Sequence, residues 1–249
     1  MRSLPASLTM PDGLDDAFQA FRSCELAINH PRNAWALAED TCKFVATLIR
    51  RLRPARVLEF GSGISSTVIA TELIRVPGAQ LISVDHNKVF QATARRTAEE
   101  HHVSEVIKFY RCPIRPSWWH GKLLFFYDIG PALANQMASL DLVLVDGPSY
   151  WGREAAAYAV YPHLKPGGLI LVDDAHRKGE REYLRDWSKL YGGALEVASR
   201  QGFERGLGIF RKCESTSPRR MFGARECQRA FFAAFKRAAR NRRRLADCV

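Results

Sequence analysis

Short apolar runs alternate with longer, mostly polar segments through the middle of the chain. The runs are Val57–Phe60, Leu81–Val84, Val106–Phe109, Leu142–Val145 and Leu169–Val172. Strands that are apolar along their length and separated by helix-length segments are typical of a parallel sheet covered on both faces. Two last strands, Leu195–Ser199 and Leu207–Phe210, flank a short polar turn, so the last strand is predicted to be antiparallel. The sequence therefore predicts an α/β fold with a mostly parallel seven-stranded sheet.

The N-terminal part of the chain has a different pattern. Leu14–Asn29 and Asn33–Leu52 are predicted to be amphipathic helices, since their apolar residues recur at spacings of three and four. We expect three regions, which are N-terminal helices at 1–53, the α/β domain at 54–211 and a basic helical tail at 212–249.

The tail accounts for most of the positive charge. Residues 212–249 contain 11 Lys and Arg against 3 Asp and Glu, which gives +8 of the net charge of +11. Phe231, Phe232 and Phe235 give the predicted tail helix an apolar side, which favours packing against the domain or against a second subunit in a homodimer. Binding of nucleic acid or anionic lipid through the charge, and simple solubility, are the alternatives.

The first candidate site lies where Val57–Phe60 ends. Gly61, Ser62 and Gly63 follow this run and precede a helix, and such a turn lets a ligand approach the backbone closely. Asp85 ends the next run, 24 residues after Gly61, where a carboxylate can accept hydrogen bonds from both ribose hydroxyls. The pattern predicts a site for an adenosine-containing cofactor.

Glu59 distinguishes between the adenosine cofactors. A carboxylate two residues before Gly61 repels the pyrophosphate of a dinucleotide such as NAD, but it attracts the ammonium and sulfonium groups of S-adenosylmethionine. We therefore predict that this site binds S-adenosylmethionine. The predicted binding residues are Glu59, Gly61, Ser62, Gly63, Asp85 and His86, of which His86 is expected to line the adenosine pocket.

Four segments together resemble the class I S-adenosylmethionine-dependent methyltransferases. They are the glycine turn at 57–67, the acidic motif at 81–86, the fourth strand and its loop at 141–148, and the fifth strand at 164–177. The resemblance covers about residues 50–211 and is nearest to small-molecule O-methyltransferases of the catechol and macrolide-sugar types. It implies a Rossmann-like methyltransferase fold and methylation of an oxygen of a small molecule or sugar. Residues 110–114 depart from it, because they lack the acidic residue that would meet the adenine amino group.

A second candidate site lies at the ends of the fourth and fifth strands. Asp146 ends one strand and the pair Asp173 and Asp174 ends the other, so the three carboxylates are expected to meet at the carboxyl edge of the sheet. Three such ligands suit a hard cation such as Mg²⁺, which would lower the pKa of an acceptor hydroxyl. In the alternative, the aspartate pair caps the next helix or forms ion pairs with Arg153 and Arg177.

Two residues are predicted to act on the acceptor. Asp146 is expected to orient and deprotonate it, and His176, two residues after Asp174, is a candidate general base because imidazole titrates near neutral pH. The aromatic residues Trp118, Trp119, Tyr150 and Trp151 could stack on a planar acceptor or pack a lid. They lie in segments 111–140 and 147–162, which are interpreted as loops.

Other features limit the classes of function. No apolar run reaches the roughly 20 residues of a membrane span, and Met1–Met10 lacks the pattern of a secretory signal. The six cysteines form no Cys-x-x-Cys pair, which favours reduced thiols and a cytoplasmic location. Alternative functions are methylation of RNA or protein held by the basic tail, a non-catalytic binding module, and a dehydrogenase.

Overall fold

The computed structural model describes residues 13–29, 36–148, 152–199, 202–213, 222–225, 227–228 and 231–232. The helices are α1 (Leu14–Ala20), α2 (Glu39–Leu52), α3 (Ile64–Leu73), α4 (Lys88–Glu100), α5 (Pro131–Gln136), α6 (Ala155–Val160) and α7 (Lys178–Tyr191). The strands are β1 (Arg56–Phe60), β2 (Gln80–Asp85), β3 (Ile107–Arg111), β4 (Ile114–Trp119), β5 (Lys122–Tyr127), β6 (Leu140–Val145), β7 (Leu164–Val172), β8 (Leu195–Ser199) and β9 (Gly208–Lys212).

Seven of the strands form one sheet in the order β3-β2-β1-β6-β7-β9-β8. The first five are parallel, and β9 is antiparallel to both β7 and β8. The chain order reverses between β1 and β6, and a ligand crevice in an open α/β sheet lies at this kind of reversal. The predicted fold class, including the antiparallel last strand, is confirmed.

Apolar side chains on both faces of the sheet explain why the strands are continuously apolar. Leu58 and Val143 belong to one buried cluster with α6 and α7, whereas Val57 and Leu142 belong to a second cluster with α2 and α3. Each central strand therefore buries alternate residues against a different helical layer.

A hairpin of β4 and β5 is inserted between β3 and α5, in a segment that was interpreted as a loop. The loop prediction is wrong for 114–127, and it is also wrong for α5 and α6, which lie in the segments 111–140 and 147–162. The turn has His120 and Gly121 at φ values of 49° and 89°, which is the geometry of a two-residue hairpin turn. The apolar run Leu123–Tyr127, which closely follows a residue pair containing glycine, is the signal that predicts such a hairpin.

The N-terminal helices are shorter than predicted. The first continues only as a 3₁₀ turn at Phe21–Ser23, and Cys24 has extended backbone angles, so the prediction of helix to Asn29 is wrong. Phe21 and Cys24 are buried in the cluster that contains α2, and this packing overrides the helical periodicity.

The predicted start of the second helix at Asn33 lies outside the described residues, while Ala36–Ala38 precede α2 in non-helical form. Most of the predicted tail helix also lies outside them. Phe231 and Phe232 are described and are exposed, but Phe235 is not described. Among the described residues, no helix is long and apolar enough to cross a membrane.

Candidate active site

The glycine turn after β1 is held by contact with the loop after β6. Gly61 has φ of +101°, which favours glycine, and a Cβ there would lie 2.9 Å from the backbone nitrogen of Gly147. The carbonyl of Phe60 accepts hydrogen bonds from the backbone N–H of Asp146, at 2.9 Å, and of Gly147, at 2.6 Å. The ends of β1 and β6 are therefore joined through their backbones.

Glu59 is fully buried beside this turn. One carboxylate oxygen, Oε2, accepts hydrogen bonds from the hydroxyls of Ser66 at 2.5 Å and Ser83 at 2.9 Å, whereas Oε1 has no hydrogen-bond partner among the described residues. Burial raises the pKa of Glu59 to about 7, although the serine hydroxyls act in the opposite direction. A buried carboxylate with an open acceptor site suits a cationic ligand.

Asp85 connects the ends of β1 and β2. Its Oδ2 accepts a hydrogen bond from the backbone N–H of Ser62 at 2.8 Å, and its Oδ1 accepts one from Asn87 at 2.6 Å. His86 Nδ1 lies 3.3 Å from the same Oδ1, and the His86 side chain is 41% exposed. The hydroxyl of Ser62 is also 2.8 Å from that of Ser83.

The predicted cofactor residues thus lie together at the carboxyl ends of β1 and β2. Gly63 begins the turn into α3, and its N–H donates to the hydroxyl of Ser66 at 3.2 Å. Their role in binding stays a prediction, since their positions alone do not identify a ligand.

The three aspartates of the second site also come together. Asp146, Asp173 and Asp174 each place one carboxylate oxygen within 4.8 Å of the others, at the ends of β6 and β7. Burial raises the pKa of Asp146 and of Asp173. The charge of Asp174 raises both pKa values further, whereas the charge of Arg153 lowers both. Asp173 Oδ1 is buried without a hydrogen-bond partner among the described residues.

Arg153 lies among these aspartates. It is 4% exposed, and its guanidinium donates to Asp146 Oδ1 and Asp174 Oδ2, both at 2.9 Å, and to the carbonyl of Asp173 at 3.1 Å. It also donates to the carbonyl of Asp146. Arg177 lies 2.8 Å from Asp174 Oδ2. The ion pairs foreseen as the alternative to a metal are therefore present for Asp174, whereas the ion pairs of the described residues include none with Asp173.

Sequence reasoning treated Arg153 only as a possible ion-pair partner of Asp173 and Asp174. Its central position depends on the 3₁₀ turn Gly152–Glu154, which follows β6 and directs the side chain back to the sheet edge. No periodicity in the sequence marks this turn, although the charge balance of three adjacent carboxylates indicates that a cation is needed.

His176 follows the aspartate pair in the chain, two residues after Asp174. The residue is exposed, and its ring is packed on Gly206, where an added Cβ would lie 2.4 Å from the ring carbon Cδ2. It is not part of the three-residue carboxylate cluster. Its role as a general base stays a prediction.

The aromatic residues proposed to line the acceptor pocket are only partly described. Trp118 is 72% exposed on β4 and Trp119 is partly buried, whereas Tyr150 and Trp151 lie outside the described residues. The described pair therefore belongs to the hairpin and not to a loop.

Comparison with protein families gives a match over residues 58–175 to a model described as a methyltransferase domain. This stretch includes the glycine turn, Asp85 and all three aspartates of the second site. A comparison with curated protein sequences finds no match.

Three solved structures share the fold. An O-methyltransferase from Streptomyces achromogenes involved in tomaymycin synthesis, in complex with S-adenosylmethionine, is 18% identical with a TM-score of 0.52, and the alignment covers 83% of this chain and 92% of that one. A Podospora anserina methyltransferase bound to SAH is 16% identical with a TM-score of 0.55, covering 82% and 89%. An O-methyltransferase from Bacillus cereus in complex with SAH is 14% identical with a TM-score of 0.55, covering 82% and 93%.

Proposed function

We propose that this chain is a class I S-adenosylmethionine-dependent methyltransferase that methylates an oxygen atom of a small-molecule or sugar acceptor, since residues 58–175 match a model described as a methyltransferase domain. The observation that carries the proposal is the backbone contact between Gly61 and Gly147. It puts the predicted cofactor turn beside the aspartate cluster, so that a methyl donor and an acceptor hydroxyl would meet at one sheet edge. Positioning of this kind is the main requirement for a direct displacement.

We propose that Glu59, Gly61, Ser62, Gly63, Asp85 and His86 hold S-adenosylmethionine. The donor set fits this molecule, because Asp85 offers carboxylate oxygens for ribose hydroxyls and Glu59 has an open oxygen, Oε1, for a cationic group. When bound, the cofactor supplies a methyl group activated by a positively charged sulfur. The protein's part is to bind it, to orient it and to exclude water.

Asp146 is proposed to orient the acceptor and take its proton. Arg153 fixes the orientation of the Asp146 carboxylate through Oδ1. Burial favours the protonated form of Asp146, so its raised pKa makes it a better proton acceptor than an ordinary aspartate. His176, packed on Gly206, is the alternative base.

Binding of a divalent cation is an alternative role for the aspartate cluster. The carboxylate oxygens of Asp146, Asp173 and Asp174 suit Mg²⁺ in type and spacing, and the ion would lower the pKa of an acceptor hydroxyl. Arg153 and Arg177 already neutralise part of this charge, so a cation would have to compete with Arg153 for Asp146 and Asp174. This competition favours a metal-independent reaction.

The remaining assignments extend this proposal. We propose that the chain consists of N-terminal helices at 1–53, the α/β domain at 54–211 and a basic tail at 212–249. The tail is proposed to pack on the domain or on a second subunit. We also propose a cytoplasmic location for the protein. The five cysteines that the structure describes are free, in agreement with a reducing compartment.

RNA or protein held by the basic tail is the alternative acceptor, since residues 212–249 have a charge of +8. Binding of RNA that weakens steeply with salt would favour it.

Isothermal titration of S-adenosylmethionine into the protein, with and without Mg²⁺, tests the proposal. We expect binding that does not depend on the metal, and loss of this binding in Asp85→Ala. A matched control is Asp128→Ala, which removes a carboxylate 46% exposed and paired with Arg115, and which should bind normally. Unchanged affinity in Asp85→Ala would overturn the cofactor site.

Formation of S-adenosylhomocysteine with a panel of hydroxyl-bearing acceptors then tests the reaction. Turnover with RNA or peptide but with no hydroxyl-bearing small molecule or sugar would replace the proposed acceptor class by the alternative.

A further inference from the structure

Tyr127, the last residue of β5, lies at the cofactor edge of the sheet. It is 4% exposed. Its ring is stacked on that of Phe60, with centroids 5.4 Å apart and planes 11° from parallel, and it lies 6.0 Å from the ring of His86. The inserted hairpin therefore places an aromatic side chain against two residues next to the glycine turn.

The hydroxyl of Tyr127 lies over the contact between the two glycine loops. A Cβ on Gly147 would be 2.5 Å from this hydroxyl, and 3.0 Å from the Cα of Gly61. Glycine at 147 thus makes room for the Tyr127 hydroxyl and the Gly61 backbone together. The position is between the predicted ribose-binding residue, Asp85, and the predicted acceptor-binding residue, Asp146. The charges of these two carboxylates, after burial itself, raise the pKa of Tyr127.

No described residue forms a hydrogen bond with this buried hydroxyl. A buried hydroxyl without a partner destabilises a protein, whereas phenylalanine would fill the same space next to Phe60 without that penalty. Tyr127 differs from other residues with such a hydroxyl in its position against Gly147, so its hydrogen-bonding capacity is available to a molecule that enters the site.

We propose that Tyr127 is a cofactor-positioning residue, whose hydroxyl would form a hydrogen bond with S-adenosylmethionine beside the predicted ribose site at Asp85. This inference rests on the proposed function. It adds to the cofactor site a residue from the hairpin, outside the glycine turn and the ends of β1 and β2. The hairpin thus does more than cover the sheet edge, because it completes the binding surface for the methyl donor.

Tyr127→Phe tests the inference, since it removes the hydroxyl and keeps the ring stacked on Phe60. Titration calorimetry with S-adenosylmethionine and with S-adenosylhomocysteine should show a Kd at least fivefold higher than that of the unaltered protein. Thermal unfolding without cofactor should show an equal or higher Tm, because an unpartnered hydroxyl has been removed. The added cofactor should raise the Tm less than it does for the unaltered protein.

Tyr183→Phe is the matched control. The hydroxyl of Tyr183 is also buried without a hydrogen-bond partner among the described residues, but its ring packs on Trp187 of α7. Tyr183→Phe should resemble Tyr127→Phe in unfolding without cofactor, and it should bind the cofactor like the unaltered protein.

Three outcomes would count against the inference. An unchanged Kd in Tyr127→Phe would overturn it and leave the proposed function intact. An equal loss of affinity in both variants would also overturn it, because the effect would then not be local to Tyr127. Failure of the unaltered protein to bind S-adenosylmethionine would overturn the proposed function and, with it, this inference.

Discussion

Two buried clusters of charge lie side by side in this enzyme, around the adjacent residues Arg153 and Glu154. In one, Lys122 Nζ lies 2.5 Å from Glu154 Oε1, 2.6 Å from Asp186 Oδ2 and 3.8 Å from the ring centre of Phe222. In the other, Arg153 contacts the aspartates at the ends of β6 and β7. The first cluster joins the hairpin to α7, whereas the second lies at the sheet edge where the reaction is proposed.

The clusters differ in how completely their polar atoms are satisfied. Glu154 also accepts a hydrogen bond from the hydroxyl of Tyr158 at 3.0 Å, and no atom of the Lys122 cluster is among the described buried atoms without a partner. The Arg153 cluster has two such atoms, Arg153 Nε and Asp173 Oδ1. Buried charge that is fully paired within the protein serves the fold, whereas buried charge with unused hydrogen-bonding capacity indicates a site for a ligand.

The largest effect is expected from Lys122→Met, which leaves two buried carboxylates without their cation. Removing one partner of a buried ion pair costs about 3–5 kcal/mol of unfolding free energy. Urea unfolding measures this loss. Lys165→Met is the control, because Lys165 is 44% exposed beside Asp141 and a surface pair contributes only about 0–1 kcal/mol. Equal losses in the two variants would mean that the buried cluster does not stabilise the hairpin.

The next largest effect is expected from Glu59→Gln, which should raise the stability of the protein and weaken its binding of S-adenosylmethionine. The pKa of Glu59 is raised from 4.5 to about 7 in the folded protein, so the folded state binds more protons between these values and stability falls as the pH rises through them. The amide does not ionise. The unfolding free energy of the variant should therefore exceed that of the unaltered protein by about 3 kcal/mol above pH 7. Below pH 4.5 the two proteins should be almost equally stable.

Denaturant titrations at several pH values, together with calorimetry, check this prediction. Affinity for S-adenosylmethionine should fall at least tenfold in Glu59→Gln, and in the unaltered protein it should weaken as the pH falls below about 7, because protonated Glu59 no longer attracts a cation. Glu72→Gln is the control, since Glu72 is buried but paired with Arg50 and Arg75. A gain in stability from both substitutions would show that the effect is not specific to an unpartnered carboxylate.

The smallest loss of stability is expected for Asp186→Asn, and none is expected for Asp173→Asn, although both aspartates are 1% exposed. Asp186 binds Lys122, and weakening a hydrogen bond between charged groups is expected to cost about 1.5–3 kcal/mol. Asp173 has an unpartnered oxygen, and burial and the neighbouring carboxylates raise its pKa, so Asp173→Asn, like Glu59→Gln, should cost no stability and should gain it as the pH rises. Thermal unfolding compares the two.

Thermal unfolding with added Mg²⁺ tests whether the aspartate cluster binds a metal ion. A rise in Tm that is present in the unaltered protein and absent in Asp173→Asn would support a metal at the aspartate cluster. Absence of any rise would support the metal-independent reading, in which Arg153 supplies the positive charge.

Sequence reasoning located residues that follow strand ends, because parallel strands bring their carboxyl ends to one edge whatever their separation in the chain. Gly61, Asp85 and Asp146 were placed correctly at that edge for this reason. Arg153 and Tyr127 depend instead on a 3₁₀ turn and on an inserted hairpin, and their contacts are set by packing. The pairing of Lys122 with Asp186 is of the same kind, since it joins residues 64 positions apart, which no local pattern encodes.

The contact between Gly61 and Gly147 has a consequence for how such enzymes can diversify. Backbone atoms, and not side-chain rotamers, set the spacing between the donor turn and the acceptor loop, so this spacing is insulated from substitutions elsewhere. Under the proposed function, the segments around the acceptor could then vary in length and composition while these two loops keep their spacing. Changes in these segments would then alter the choice of acceptor without moving the proposed site of methyl transfer.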